Sequence, residues 1–328
     1  MGDKTTRREF LKQMALTGAA LTALPCVVQA AGELAKEAGG KSRVVISTDN
    51  TALTSDYEAV QAVVTKMLHM SMAKLTDSKT GTEAWKKLFS SKDIVGIKVN
   101  CLCGKLVSTR PEVVRAVITG LKMAGVDENN IIVWDRSSAD MVRCGFKPNK
   151  SGPGVKYFAD DDDWGPTMQQ GVWKGRITKV ISEKVTAIVN MPILKTHHIA
   201  GLSCCLKNHY GSFDNPGDYH GNNCDPAVAD FNSIPMVKDK ARLFVVDALR
   251  PQHSGGPQLQ EKDQFNYYSM MVSNDPVAAD YQGLQIIQTK LAELGKEPIP
   301  ASKTPWLGSA QERGVGTCDP KKIELVQV

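Results

Sequence analysis

The chain has 328 residues and a formal net charge of +5 at pH 7. The first 30 residues carry +2 of that charge, from four basic and two acidic side chains, which leaves +3 for the rest. So small a charge, with no basic run interleaved with aromatic side chains, gives no indication of a nucleic-acid partner. No apolar stretch beyond residue 31 is long enough to span a bilayer, so we expect the mature chain not to cross a membrane.

The first 30 residues have the pattern of a twin-arginine export signal. Arg7 and Arg8 precede Phe-Leu-Lys and an apolar segment, 14–28, that is too short to span a bilayer comfortably. Val28-Gln29-Ala30 has the small-x-Ala pattern of a cleavage site. We therefore predict that the Tat translocase exports the folded chain to the periplasm and that 31–328 is the mature protein. An uncleaved membrane anchor is the alternative.

Strands and helices alternate along the mature segment. In chain order, the predicted elements are a strand at 43–47, a helix at 57–75, strands at 93–100 and 130–135 around a helix at 110–124, strands at 186–191 and 242–247, a helix at 275–294 and a strand at 321–326. The strands are continuous apolar runs, as is typical of strands covered on both faces. This pattern predicts an α/β fold with a doubly wound, largely parallel sheet in a single large domain.

Three short segments have structural interpretations. Thr109, with Pro111 and Glu112 behind it, has the pattern of a helix N-cap with a capping box. Asn274 or Asp275, before a proline, is the predicted cap of the late helix. The acidic run 160–163 predicts a solvated loop. Calcium binding is the less favoured alternative, because no EF-hand spacing follows.

Polar side chains cluster after the predicted strands, where open parallel sheets bind ligands. They are Lys98, Asn100 and Lys105 after the second strand, Lys195, His197 and His198 after 186–191, then Lys207 and Asn208, and Asp247 after 242–247. The lysines would make this edge of the sheet cationic, which suits a carboxylate or phosphate ligand. Because adjacent side chains on a strand point to opposite faces, we expect only one of the two histidines to face the ligand.

The residue types at this edge of the sheet indicate a different role for each side chain. The candidate catalytic residues are His197, as acid/base or metal ligand, Lys195, which would also bind the anion, and Asp247, which would orient a neighbour or bind metal. A histidine hydrogen-bonded to the backbone is the alternative for His197. The candidate ligand-binding residues are Lys98, Asn100, Lys105, Lys207 and Asn208.

The cysteines form two close pairs. Cys101 and Cys103 follow the second strand, and Cys204 and Cys205 follow the lysine–histidine group. If the two loops meet, four thiolates could hold an iron–sulfur cluster or a soft metal ion. No ferredoxin-like spacing is present, and two alternatives stay open: disulfides, because the periplasm is oxidising, or small buried apolar side chains. Seven cysteines follow the signal, so at least one is free or intermolecular if the others pair.

A set of motifs resembles the domain-of-unknown-function family 362. The matching segments are 98–100, 108–112, 190–197, 206–211, 255–257, 275–280 and 314–316, with Asp247 and Asp319. The resemblance spans about 43–327 and implies an α/β fold, while the family's activity is largely undefined. The four paired cysteines depart from the family pattern, in which small or apolar residues are usual. These paired departures suggest that the two loops are neighbours.

These observations predict an exported periplasmic protein that binds an anionic small molecule, with or without a metal or iron–sulfur centre. We expect an enzyme or redox protein of undefined reaction. The alternative is a non-catalytic ligand or metal carrier that serves a periplasmic redox partner. A metal-assisted isomerase or racemase is a third possibility, and it rests on fold analogy alone.

Overall fold

The computed structural model describes residues 40–161 and 163–328. The predicted export signal lies outside these described residues. Within them, no helix has the length and apolar character needed to cross a membrane. The strands are β1 (Ser42–Thr48), β2 (Val95–Lys98), β3 (Ile131–Asp135), β4 (Lys156–Ala159), β5 (Trp164–Gln170), β6 (Trp173–Thr178), β7 (Ala187–Asn190), β8 (Ile193–His197), β9 (Gly201–Ser203), β10 (Ala241–Gln252), β11 (Ser269–Ser273) and β12 (Ile323–Gln327). The helices are α1 (Gln61–Leu75), α2 (Gly81–Leu88), α3 (Pro111–Met123), α4 (Ser138–Arg143), α5 (Cys205–Asn208), α6 (Ala227–Ser233), α7 (Pro235–Lys238), α8 (Pro276–Glu293) and α9 (Trp306–Glu312).

One ten-stranded sheet organises the molecule. Its main path runs β12-β1-β11-β10-β7-β2-β3-β4, and β8 and β9 extend from the far half of β10. All neighbours on the main path are parallel except that β11 runs against both β1 and β10. The helices α1 to α3 pack in one core cluster and α5 to α9 in another, on opposite faces. The predicted largely parallel, doubly wound α/β fold is confirmed.

The length of β10 brings polar residues to one edge of the sheet. The first part of β10 pairs with β7, and the second part pairs with β8. The chain therefore leaves β7, passes Met191 and Pro192, and continues as β8 beside the same strand. The backbone N–H of Asp247 donates to the Pro192 carbonyl at 2.9 Å and holds this step in place. As a result, the ends of β2, β7 and β8 lie together.

Several predicted boundaries shift for physical reasons. The first helix begins at Gln61 rather than at 57, because Tyr57 has a φ of +62°, outside the right-handed helical region. Thr109 is not a helix cap: Arg110 occupies that position, without a side-chain cap bond. The Thr109 hydroxyl instead donates to the Met191 carbonyl at 2.6 Å and accepts the Asn100 N–H. The Asp275 cap is confirmed, since its carboxylate accepts the first free N–H groups of α8.

The acidic run is not wholly solvated. Asp160 is only 5 % exposed, and its carboxylate accepts a hydrogen bond from the Thr178 hydroxyl. Burial raises the pKa of Asp160 to about 7. Asp161 and Asp163 are exposed, as expected for residues of a solvated loop. The expectation of a solvated loop is therefore wrong for Asp160.

Candidate functional site

Lys98 forms a buried ion pair at the base of the site. Its ammonium lies 2.8 Å from Asp135 Oδ1 and 2.6 Å from the Val99 carbonyl. Asp135 Oδ2 also accepts the Cys101 N–H at 2.6 Å, so this carboxylate joins the ends of β2 and β3. A Cβ on Gly211 would lie 2.7 Å from both Lys98 Nζ and Asp135 Oδ1, so the chain can pass here only as glycine. Lys98 already has its counter-ion, and its expected role in ligand binding becomes a structural one.

Lys195 is buried without a counter-ion. Its ammonium donates to Asn100 Oδ1 at 3.2 Å and to the Leu102 and Val107 carbonyls at 3.3 and 2.9 Å. Its side chain is 1 % exposed, and burial lowers its pKa to about 8. Among the described residues, no carboxylate lies within 4.0 Å of this nitrogen. Neutral oxygens alone therefore hold a charged group in the interior.

Lys207 lies on the short helix α5 in a similar state. Its ammonium is 3.2 Å from His220 Nε2 and 3.3 Å from the centroid of the Tyr210 ring. Only 6 % of the residue is exposed, and burial lowers its pKa to about 7. As with Lys195, no described carboxylate pairs with it. The site thus contains two buried lysines that form no ion pair with any acidic side chain in the described part of the chain.

A chain of amide side chains fixes this region. Asn208 donates to Asn190 Oδ1 at 2.7 Å and to the Lys98 carbonyl at 3.3 Å, while its own oxygen accepts from Asn100 at 3.2 Å. Asn190 in turn donates to the Cys205 carbonyl at 2.9 Å. The carboxylate of Asp280 accepts the Cys205 and Leu206 N–H groups and so anchors the start of α5. Asn208 therefore positions the ends of β2 and β7, and its amide is already committed.

His197 is a neutral imidazole with a fixed tautomer. Its Nδ1 accepts the Ile199 and Ala200 N–H groups, both at 3.2 Å, so the proton of the neutral ring resides on Nε2. Burial, and then the charge of Lys207, lowers the pKa of His197 to about 2. An imidazole with so low a pKa is a weak general base at physiological pH. The geometry favours the alternative interpretation, a histidine hydrogen-bonded to the backbone, with Nε2–H as a hydrogen-bond donor.

The two adjacent histidines lie on the same side, contrary to expectation. The rings of His197 and His198 are parallel within 7°, with centroids 5.1 Å apart. The strand β8 ends at His197, so strand alternation does not extend to the exposed His198, whose Nδ1 lies 3.3 Å from the Gly256 carbonyl. His220 stacks near the His197 ring as well, at 5.5 Å. Sequence reasoning missed His220, which no motif marks and which reaches the site through a long irregular segment.

Two predicted site residues have other functions. Asp247 is fully buried, and its carboxylate pairs with the Arg110 guanidinium at 2.7 Å and accepts the Leu249 N–H at 3.2 Å. It joins β10 to the start of α3, so its predicted catalytic role is not supported. Lys105 is 52 % exposed at its side chain and pairs with Glu58 at 2.7 Å. Lys105 therefore belongs to the surface and not to the buried lysine cluster.

The four paired cysteines do not converge. Cys101 packs in the core cluster on one face of the sheet, and Cys204 and Cys205 pack on the other. In the part of the chain that the structure describes, the one group of three or more potential metal ligands is Cys204, Cys205 and Asp280, with ligand atoms within 4.8 Å of one another. Cys103 is half-buried, with a φ of +76°. Burial raises the pKa of its thiol, and the charge of Lys195 opposes that rise. The expectation of four neighbouring thiolates is wrong, because the sheet separates them.

A family model for a domain of unknown function, DUF362, matches residues 95–285, which is more than half of the chain. The chain belongs to this family. The match begins at β2 and ends within α8, so it contains both buried lysines, the histidine stack and Asp280. No curated protein matches the chain.

A solved structure also matches at low similarity. It is the crystal structure of a Thermotoga maritima protein, a target of the Northeast Structural Genomics Consortium. The identity is 12 %, the TM-score is 0.36, and the match covers 72 % of this chain. The matched region spans 59 % of the Thermotoga chain.

Proposed function

We propose that this DUF362 protein is exported to the periplasm and binds an anionic small molecule at the ends of β2, β7 and β8, as an enzyme or redox protein. The observation that carries this proposal is the pair of buried lysines, Lys195 and Lys207, without acidic partners among the described residues. A buried charge without a counter-ion is costly, and its pKa moves towards the neutral form. A bound carboxylate, phosphate or sulfate would remove that cost.

The neighbouring groups favour an anion over a cation. His197 offers a permanent Nε2–H donor close to Lys207, whose charge acts on the imidazole. Charge-assisted hydrogen bonds to oxyanions are the stronger class of hydrogen bond. The carboxylates of the region, Asp135 and Asp247, are both paired with basic side chains. An entering anion would therefore meet two ammonium groups and one imidazole N–H.

Sulfate is a suitable probe, because its charge is constant over the pH range of interest. We expect it to bind the full chain and to bind at least about tenfold more weakly in Lys195→Met and in Lys207→Met, a loss of about 1.4 kcal/mol or more. Isothermal titration calorimetry measures the sulfate affinity of the wild type and of each variant. The matched control is Lys122→Met, which removes an exposed lysine paired with Glu128 and should leave the affinity unchanged. Equal affinity in all four proteins would contradict the site.

The pH dependence follows from the two lowered lysine pKa values. Lys207 is charged below about 7 and Lys195 below about 8, so sulfate affinity should be highest at low pH and fall as pH rises through this window. Bound sulfate stabilises the charged amines, which moves the fall to somewhat higher pH. Calorimetry in steps from about pH 6 to about pH 9 tests this sign. An affinity that rises with pH would contradict anion binding by these amines.

Export is tested independently of the ligand. We expect the wild-type chain, expressed in a bacterium with the twin-arginine pathway, to appear in the periplasm with a mature N-terminus near Ala31. A variant with both Arg7→Lys and Arg8→Lys should stay in the cytoplasm at full length. Periplasmic processing of that variant at the wild-type level would contradict the export proposal.

A soft-metal carrier is the second candidate function. It is favoured by the buried group of Cys204, Cys205 and Asp280. Burial raises the pKa of both thiols, that of Cys204 to about 11, so a metal ion would have to displace their protons. Asp280 also holds two backbone N–H groups, and three ligands are fewer than a four-thiolate iron–sulfur cluster requires. Metal analysis with an absorption spectrum should show copper or zinc that is lost in Cys205→Ser and kept in Cys103→Ser; metal-free wild-type protein would exclude this function.

A further inference from the structure

A third cysteine pair lies beneath the lysine site. Cys101 follows β2, and Cys144 ends the six-residue helix α4. The Cys144 thiol donates to the Cys101 carbonyl at 3.5 Å, and the interaction between the two neighbouring thiols shifts the pKa of both. Both residues are only 1 % exposed and belong to the same core cluster. No spacing in the sequence marks them, because 43 positions separate them.

We propose that Cys101 and Cys144 are a disulfide-forming pair, which oxidises by exchange with a disulfide such as oxidised glutathione or the disulfide of a dithiol oxidase. Of the other five described cysteines, four lie away from this pair, and Cys103, two positions after Cys101, is the competing partner. Cys204 and Cys205 lie on the opposite face of the sheet, and Cys224 lies beside Tyr210. Cys318 contacts Gln311 near the end of the chain. The proposal concerns a covalent modification and stands whether or not an anion binds.

The exchange balances in two steps. The Cys144 thiolate attacks the external disulfide, forms a mixed disulfide and releases one external thiolate. The Cys101 thiol loses its proton and attacks Cys144 Sγ, which forms the internal bridge and releases the second external thiol. The two protein thiols thus lose two electrons and two protons, and the external disulfide is reduced to two thiols. Interaction with the Cys101 thiol lowers the pKa of Cys144, and the position of Cys144 at the end of a short surface helix makes it the residue that attacks first.

Access to Cys144 does not require opening of the sheet. It follows Arg143 and the half-exposed Val142 at the end of a short surface helix. Short terminal turns of this kind open locally at low free-energy cost. Cys101 has the deeper position, because its N–H is bonded to the Asp135 carboxylate behind β3. An external disulfide would therefore reach Cys144 before Cys101.

The bridge would affect the lysine site through one loop. The segment that begins at Cys101 supplies the Leu102 and Val107 carbonyls to the Lys195 ammonium. A Cys101–Cys144 bond would fix the start of this segment to the end of α4 and so restrict those carbonyls. This consequence, unlike the bridge, rests on the proposed anion site. We expect oxidation to change sulfate affinity by about threefold or more, a modest pre-organisation effect.

The bridge is tested by mass mapping of the full chain. Tryptic cleavage after Lys98 and Lys105 leaves Cys101 and Cys103 in one peptide, so the experiment uses Cys103→Ser beside the wild type. After treatment with oxidised glutathione, the free thiols are blocked with N-ethylmaleimide in denaturant. We expect a linked pair of peptides that contain Cys101 and Cys144, lighter by two hydrogen atoms and separated by reductant. The matched control, Cys318→Ser, should form the same linked pair.

Two results would contradict the proposed bridge. Complete N-ethylmaleimide labelling of Cys101 and Cys144 after oxidation would overturn the proposal, as would a bridge from Cys101 to Cys103 in the wild type. The mapping is done on folded wild-type protein, so its result does not depend on whether a Cys144→Ser variant can fold. If the bridge forms but no sulfate binds in either redox state, the anion proposal fails and the disulfide stands.

Discussion

Asp160 shows how burial changes the chemistry of one side chain. Its Oδ1 accepts from the Thr178 hydroxyl, while Oδ2 is buried without a hydrogen-bond partner. The folded-state pKa of about 7 lies above the ordinary value of 3.8 for an aspartic acid, so ionisation is harder in the folded protein than in the unfolded chain. The stabilisation from the neutral acid is fully present below the unfolded pKa. It is lost as pH rises to about 7.

Asp160→Asn should remove this pH dependence. Asparagine keeps the size of the side chain and cannot ionise, so the stability of the wild type relative to the variant should fall between about pH 4 and pH 8, by at most about 4 kcal/mol for a shift of about 3 pKa units. Urea unfolding at several pH values measures the difference. Asp161→Asn, which removes a carboxylate at an exposed neighbour, is the control. A constant difference for Asp160→Asn would contradict the raised pKa.

Sequence reasoning identifies residue types in the site more readily than their partners. Lys195 and Lys207 are both buried, and the charges of both act on His197. The roles expected for Lys98 and Asp247 fail because each has an ionic partner on another element, Asp135 and Arg110 respectively. These partners lie 37 and 137 positions away in the chain. Such pairings depend on tertiary packing, and no local pattern encodes them.

At the scale of elements, the predictions succeed for long buried strands and fail for short polar ones. The strands β2, β3 and β7 are entirely buried and read as continuous apolar runs. By contrast, β8 contains a lysine, a threonine and a histidine within five residues, and its pairing with β10 and β9 makes it a strand. The polar residues Lys195, Thr196 and His197 therefore lie within the sheet itself. This placement explains why its side chains are buried.

Asp275 connects three elements, and its loss should be costly. It accepts the Val277 and Ala278 N–H groups of α8, the Thr317 N–H and the Ser42 hydroxyl. Asp275→Ala leaves these donors without partners in a buried place, so we expect the free energy of unfolding to fall by at least about 2 kcal/mol. Urea denaturation measures the loss.

The control for this cap is Asp127→Ala. Asp127 accepts the Asn129 N–H at the start of an exposed 3-10 turn and bonds to nothing distant. Its removal should lower stability by about 1 kcal/mol or less. Equal losses in the two variants would show that the long-range bonds of Asp275 contribute nothing beyond an ordinary cap.

On the scale of the whole molecule, the sheet separates two chemical environments. One face carries α1 to α3 with the Cys101–Cys144 pair, and the other carries α8 with Cys204, Cys205 and Asp280. The lysine site lies at the strand ends, where loops from both faces meet. The proposed oxidation on one face and the proposed metal binding on the other would therefore be chemically independent, although both adjoin loops that position the lysines.

The layered architecture also predicts an order of local opening. The strands β2 and β7 are hydrogen-bonded on both sides and covered on both faces, so their amides should exchange only through global unfolding. The hairpin of β5 and β6 forms a two-stranded sheet of its own, joined to Phe213 by an isolated bridge at Ile177, and many of its residues are exposed. We expect its amides, except those around the buried Trp173, to exchange earliest among the strands. Hydrogen–deuterium exchange with mass spectrometry measures this order. Protection of the hairpin equal to that of β2 and β7 would mean that the molecule opens as one unit and not by layers.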